Sequence, residues 1–293
     1  HFDYTFDDTT LGESSWEKAE SKLQTEAVNR ALDKASVTPS EIDYIFAGDL
    51  LNQCISSTFG LRNLDIPFLG QYGACSTMAQ TLALSSIMVD TGVANRCIAV
   101  TSSHFCSAER QFRFPLEYGG QRTPTAQWTV TGSGAIVVGN TGESPCISEI
   151  TIGRIIDMGI KDATNMGAAM APSAATTLID FFNDTKTSPD NYDLILTGDL
   201  GTIGSKLLID LLQKDGINIK NKHNDCGVMI YNIKEQDVHA GGSGCGCSAS
   251  VLCSVILNQL KNGELSNVLF IATGALMSPT SSQQGESIPG IAH

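Results

Sequence analysis

Gly73-Ala74-Cys75-Ser76-Thr77-Met78-Ala79-Gln80 joins a strand to a helix and places a cysteine at the joint. Ahead of it, Ile66-Pro67-Phe68-Leu69-Gly70 reads as a short buried strand. Behind it, Thr77 to Val89 has few charges, and Met78, Ala79, Leu82, Ala83, Leu84, Ile87, Met88 and Val89 cover nearly all faces of a helix. A helix that is apolar all round belongs inside a protein. Cys75 is therefore expected at the N-terminus of a buried helix, after two small residues that permit a sharp turn. The positive end of a helix dipole lowers a thiol pKa and favours thiolate, which prepares a nucleophile. The same window fits an inert core cysteine equally well, a common fate of free Cys.

The chain of 293 residues is long enough for two packed halves or one large α/β domain. Its hydrophobic content of 42% and charged content of 17% are those of a globular protein. A net charge of −13 makes nucleic acid and anionic membrane surfaces poor partners. Nine cysteines without framework spacing point to reduced thiols in a cytosolic compartment. Cys245-Gly246-Cys247 has neither the spacing nor the second cluster of a zinc site. There is no signal peptide pattern and no apolar run of membrane-spanning length, so a soluble protein is expected.

The chain contains a duplication. Ser15 to Val37 is an amphipathic helix with Trp16, Ala19, Leu23, Ala27, Val28, Ala31 and Leu32 on one stripe. Asp43-Tyr44-Ile45-Phe46-Ala47-Gly48-Asp49-Leu50 returns as Asp193-Leu194-Ile195-Leu196-Thr197-Gly198-Asp199-Leu200, 150 positions later. Gly73-Ala74-Cys75-Ser76 matches Cys245-Gly246-Cys247-Ser248, and the strand ending at Thr101 matches the one ending at Thr273, both at an offset of 172. Each half then reads helix, strand, strand, buried helix, strand, with a further strand near Ser133 to Val138 in the first half. Strands alternating with helices imply parallel sheets covered by helices. Two halves, 1–145 and 146–293, related by a pseudo-two-fold would bring Cys75 and Cys247 toward the middle of the molecule.

This pattern resembles the thiolase-like fold: two duplicated α/β halves in a five-layered α-β-α-β-α arrangement, with a cysteine opening a central helix. The resemblance narrows at Thr101-Ser102-Ser103-His104, Ala108-Glu109-Arg110-Gln111-Phe112-Arg113, Glu117-Tyr118-Gly119-Gly120-Gln121, Lys222-His223-Asn224-Asp225-Cys226-Gly227 and Ala272-Thr273-Gly274-Ala275-Leu276-Met277-Ser278-Pro279-Thr280. Together with Gly48-Asp49-Leu50-Leu51-Asn52-Gln53 these look like the stage V sporulation protein AD family over essentially the whole chain. The likeness implies a strand ahead of His1 and a short strand after His293. It implies binding of dipicolinate, with calcium only as part of a chelate and no other cofactor. It also implies a homodimer, and a peripheral position at the inner forespore membrane beside proteins of the same operon.

Condensing members of the fold use a His pair, or a His and an Asn, beside the cysteine. Here the matching places are Gly198-Asp199 and Gly242-Ser243-Gly244-Cys245-Gly246, which hold neither residue. Cys75 is thus expected as a vestigial nucleophile in a non-catalytic relative. The alternative is a Cys75-dependent acyltransferase or ketoacyl synthase. Arg110, Arg113 and Arg122 could grip carboxylates, with Phe112, Phe114, Tyr118 and Trp128 available to stack on a pyridine ring. His104 follows a strand end, where ligands gather in parallel sheets. Thr131-Gly132-Ser133-Gly134 allows a close backbone approach to a ligand. The expected ligand-binding set is Cys75, Ser76, His104, Arg110, Arg113, Arg122, Thr131, Asp199, Ser243 and His293, with no metal ligands. A structural role for Asp49 and Asp199, and a surface or turn position for His223, are the plainer readings.

Overall fold

The structure is a computed structural model that describes residues 2–112, 120–142 and 145–293. Arg113, Phe114, Glu117 and Tyr118 lie outside the described residues.

The first half runs α1 (Trp16–Ala35), β1 (Tyr44–Gly48), α2 (Ile55–Leu61), β2 (Phe68–Gln71), α3 (Thr77–Asp90), β3 (Arg96–Ser103), α4 (Phe105–Phe112), β4 (Trp128–Thr129) and β5 (Gly132–Gly139). The second runs α5 (Met166–Thr185), β6 (Leu194–Thr197), α6 (Gly201–Lys214), β7 (His223–Asp225), α7 (Cys226–Met229), β8 (Gly242–Ser243), α8 (Cys245–Val251), α9 (Leu257–Lys261), β9 (Val268–Ile271), β10 (Thr273–Ala275), α10 (Pro279–Gln283) and β11 (Gly290–Ala292).

The duplication is real down to its hydrogen bonds. Thr38–Glu41 and Ser188–Asn191 form matching capping boxes on short 3₁₀ turns. Asp43 Oδ2 then accepts from the Asn95 and Arg96 amides, and Asp193 Oδ2 accepts from those of Ser266 and Asn267. Each aspartate pins its strand to the one beside it. The first sheet has the order β2-β1-β3-β5, parallel except for β5. The second has β7-β6-β9, and the chain after β9 continues as β10, which pairs antiparallel with β11. The two sheets repeat one topology.

Five layers follow. α1 and α2 cover one sheet, α5 and α6 cover the other, and α3 and α8 lie between them. α8 is buried at every residue from Cys245 to Val251. Met78, Leu82 and Ala99 from the first half pack with Leu196, Cys247 and Ile256 from the second in one core cluster. Among the described residues, no helix is long and apolar enough to cross a membrane.

Three details depart from the sequence reading. First, β2 is an exposed edge strand: among the described residues only β1 pairs with it, and Phe68 and Leu69 are exposed. Its apolar composition does not come from burial within this chain. Second, α1 buries Ala19, Glu20, Gln24, Val28 and Leu32, so two polar side chains share the inward face. Leu23, Ala27 and Ala31 instead line a recess of about 510 Å³ against the N-terminal segment and β5.

Third, the internal register shifts. Tyr44 pairs with Cys97 and Leu194 with Val268, so β3 and β9 are related by 171 positions. Gly92 and Gly263, also 171 apart, close the two central helices at φ 74° and 72°. At the helix starts, Ala74 at φ 52° matches Gly244 at φ 111°, an offset of 170. The difference of one residue is taken up where Leu252–Ile256 winds as a π-helix. The partner of Cys75 in the repeat is therefore Cys245, not Cys247.

Candidate functional site

The two matched cysteines meet. Cys75 and Cys245 are buried in one small cluster with Leu50 and Ala108, and Phe112 packs against it. Cys75 sits in a 3₁₀ turn, Ala74–Ser76, ahead of α3. The turn is closed by its own hydroxyls: Ser76 Oγ donates to the Gly73 carbonyl at 2.7 Å and Thr77 Oγ1 to the Ala74 carbonyl at 2.6 Å. It packs against β10 of the other half, where a Cβ at Gly274 would stand 2.6 Å from the Gly73 carbonyl oxygen. The Cys245 turn packs reciprocally on β3: a Cβ at Gly246 would stand 2.3 Å from the Gly132 carbonyl oxygen and 2.6 Å from the Ser103 amide. Backbone at this spacing leaves no room for any side chain.

Cys75 is not poised as a thiolate. Burial pushes its thiol well above the usual range, and the adjacent Asp199 carboxylate pushes the same way through charge and direct contact. The Gly244 amide opposes them more weakly. The dipole expected to activate the thiol is outweighed, because a dry site holding a carboxylate disfavours a second negative charge. Cys245 and Cys247 are raised well above their usual range too, again chiefly by burial.

Asp199 is fully buried. Its Oδ2 accepts from the Gly244 amide at 2.8 Å and its Oδ1 from Thr273 Oγ1 at 3.1 Å. Asp225 supports the loop behind it, accepting from the amides of Leu200, Gly201 and Val228 and from Thr197 Oγ1. His223 is not a surface residue. It opens β7, its Nε2 lies 3.0 Å from Thr197 Oγ1, and burial lowers its pKa to about 4.

The expected ligand residues divide. Cys75, Ser76 and Asp199 gather at the centre, with Ser243 buried one residue before the Gly244 amide that Asp199 holds. Thr131 and His104 sit at the start of α4: Thr131 Oγ1 accepts from the Phe105 amide, and His104 Nδ1 accepts from the Cys106 amide. That leaves the hydrogen of the ring on Nε2, which meets the Thr9 carbonyl at 2.8 Å. Arg122 is bound to Glu109 at 2.8 Å and to the Gln127 carbonyl, and lies over the stacked rings of Phe105 and Trp128. Arg110 pairs with Glu17 and covers Trp16 on α1. His293 accepts the Gly153 amide on Nδ1. Arg110, Arg122 and His293 thus each have partners other than Cys75, while Arg113 lies outside the described residues. Neither the 510 Å³ recess nor a second one near Arg96 is lined by Cys75.

The sequence reading missed Glu20, Cys245 and Asp225. Cys245 was masked by the one-residue shift. Glu20 is followed four positions later by Gln24, one helical turn on, and that polar pair beside an apolar stripe was the available signal.

The chain matches the stage V sporulation protein AD family over residues 1–293. It belongs to that family. A curated relative, stage V sporulation protein AD of Bacillus subtilis (strain 168), is 51% identical over 292 residues, covering 100% of this chain and 86% of the relative. Solved structures share the fold at low identity. Xanthomonas campestris OleA aligns at TM-score 0.60 and 14% identity, over 93% of this chain and 80% of that one. The 3-oxoacyl-[acyl-carrier-protein] synthase III of Aquifex aeolicus aligns at 0.55 and 14%, over 92% and 82%. The tetronic acid condensing enzyme AbyA1 aligns at 0.57 and 16%, over 93% and 84%. The fold is thiolase-like, and the chain is a sporulation protein by family.

Proposed function

We propose that this chain binds dipicolinate, free or as its calcium chelate, during loading of the developing spore, and that it does not catalyse condensation. The observation that carries the second half of this reading is the company of Cys75. Its neighbours are Asp199, the Gly244 amide and Cys245, with no histidine among them, and burial beside the Asp199 carboxylate opposes formation of the thiolate a condensing nucleophile needs. Family membership supports the sporulation role, and the sequence likeness suggests the ligand. At the rim of the centre, Tyr72 hydroxyl reaches Asn52 Oδ1, and the Asn52 amide reaches Gln111 Oε1. These polar groups and Phe112 offer hydrogen bonds and a ring face to a planar heteroaromatic acid.

Calorimetry with dipicolinate, with and without calcium, tests the reading, with isophthalate as the control that lacks the ring nitrogen. Selective heat for dipicolinate supports it. No heat and no thermal stabilisation at millimolar ligand would sink it. The rival, acyl transfer through Cys75, predicts covalent labelling by an acyl-CoA that Cys75→Ala abolishes.

We further propose that two copies pair through the exposed edge of β2. Ile55, Phe59, Phe68, Leu69 and Tyr72 are all exposed on or beside it. An unpaired edge strand flanked by apolar side chains is a template for a second strand. Leu69→Lys is expected to yield a monomer in light scattering. A peripheral position at the inner forespore membrane would then rest on operon partners, tested by co-fractionation with and without them.

A further inference from the structure

Behind Cys245 lies a polar cluster that the site does not use. Glu20 of α1 is fully buried, and Ser102 and Ser107 donate to its two oxygens at 3.1 and 2.7 Å. Asp49, also fully buried, accepts from the Leu51 and Ser57 amides and from Ser57 Oγ at 2.6 Å. Gln24 ties the two together, its Nε2 sharing two hydrogens among Ser57 Oγ, Ser102 Oγ and the Gly48 carbonyl. Among the described residues no Lys, Arg or His pairs with either carboxyl. Gln24 Oε1 is an orphaned acceptor in the cluster, and Ser56 of α2 faces Glu20.

Two unpaired charges cannot be buried side by side at this cost. An orphaned acceptor inside the cluster points to a hydrogen that the carboxylates' own acceptor oxygens do not supply. We propose that Glu20 and Asp49 form a carboxyl pair that retains one proton near neutral pH, and that losing it to solvent changes the charge behind the Cys75–Cys245 centre.

Among the described residues, Cys54 ahead of α2 and Tyr72 after β2 face Asp49, and the other groups facing the pair are as follows. α2 contributes Ser56, β3 contributes Ser102, α4 contributes Ser107, and the loop after β1 contributes Asp49; the Cys245 thiol of α8 senses both carboxyls. β5, Gly132–Gly139, carries no titratable side chain. Burial and then the Asp49 charge raise Glu20 from 4.5 to about 8, and burial raises Asp49 as well. A carboxyl raised on folding holds its proton in the folded chain after the unfolded chain has lost it. Stability is therefore greatest below the unfolded pKa and falls as pH rises toward the folded one. Asp225, raised to about 6, titrates lower, and the buried thiols act only above their unfolded range near 9.0. His104, His223 and His293, held below the ordinary 6.5 by burial, change stability in the opposite sense up to about pH 7.5, so between about pH 6.5 and about pH 8 the difference in slope between the wild type and Glu20→Gln reports the pair.

The test is Tm against pH across that interval for the wild type and Glu20→Gln, with infrared detection of a protonated carboxyl. Relative to Glu20→Gln, the wild type is expected to lose Tm with rising pH, and it shows near neutrality a protonated C=O band that the variant lacks. An equal slope in the variant, or no such band in the wild type, overturns the proposal. Should Glu20→Gln fail to fold, the wild-type band decides, together with a shift of its disappearance to lower pH in Asp49→Asn; an unshifted band overturns the coupling. Stabilisation of the wild type by sodium or calcium without a protonated band would replace the proton by a cation and overturn it too. A further arm rests on the dipicolinate reading: affinity should fall by up to about tenfold per pH unit in the wild type and stay constant in Glu20→Gln. If dipicolinate does not bind at any pH, that reading fails, while the Tm and infrared arms still judge the pair.

Discussion

Asp49 and Asp199 occupy one position in the repeat and do different work. Asp49 is spent on its own loop, holding the Leu51 and Ser57 amides. In the second half that duty passes to Asp225, which reaches across from β7 to the Leu200 and Gly201 amides. Asp199 is thereby released to face Gly244, Thr273 and Cys75. The layer behind differs as well. Glu20 and Gln24 of α1 correspond, 150 positions on, to Met170 and Ala174 of α5. Duplication supplied two equivalent acids, and a borrowed third acid let one of them turn toward the centre.

Breaking Asp225 should have the largest effect. Asp225→Ala strips four accepted hydrogen bonds from a buried loop. Denaturant unfolding should show a loss of about 3–5 kcal/mol, and a loss under about 1 kcal/mol would mean that Asp199 still holds its loop unaided. The reciprocal glycines come next. Gly274→Ala and Gly246→Ala each drive a methyl into backbone of the opposite half, and each should cost about 2–4 kcal/mol. If only one does, the two turns are not packed equivalently.

Asp199→Asn is expected to cost less stability, about 1–2 kcal/mol, but to bring the Cys75 thiol down by removing the charge beside it. Alkylation of Cys75 should then accelerate at a given pH, while the same change at Asp49 should leave it unaltered. Equal rates in wild type and Asp199→Asn would refute the contact. The smallest effect is acidic. His223 is half-buried and desolvation lowers its pKa to about 4, so the unfolded chain takes up a proton first as pH falls below about 6.5. Stability present above that value is lost toward pH 4, and His223→Asn should remove about 1–2 kcal/mol of that slope in acid titrations of the unfolding midpoint.

The architecture was legible because it rests on patterns that sequence displays directly. Asp43 and Asp193 with their strands, the apolar run of α3 and the closing glycines are local signals, and the structure repeats each of them. The centre was legible only in part. Cys75 was placed correctly, yet its chemistry depends on Asp199, a residue 124 positions away brought in by the pseudo-two-fold. Helix dipole reasoning is local and could not see that neighbour. The surroundings of the arginines were illegible for a similar reason: Arg110 pairs with Glu17 and Arg122 with Glu109, and composition does not reveal pairing. The strand β2 reads as buried because an apolar edge and an apolar core share one composition.

The π-helical winding at Leu252–Ile256 acts as an angular index for the second central helix. Each residue of a helix turns it by about 100°, so a deletion anywhere in α3 would swing the Cys75 turn by that angle relative to Gly92. Removing one residue between Leu252 and Ile256 should instead let the wide turn tighten into an ordinary one, leaving Cys245 and Gly263 in phase. The second half therefore carries a spare residue, and the two central helices should differ sharply in their tolerance of a single deletion.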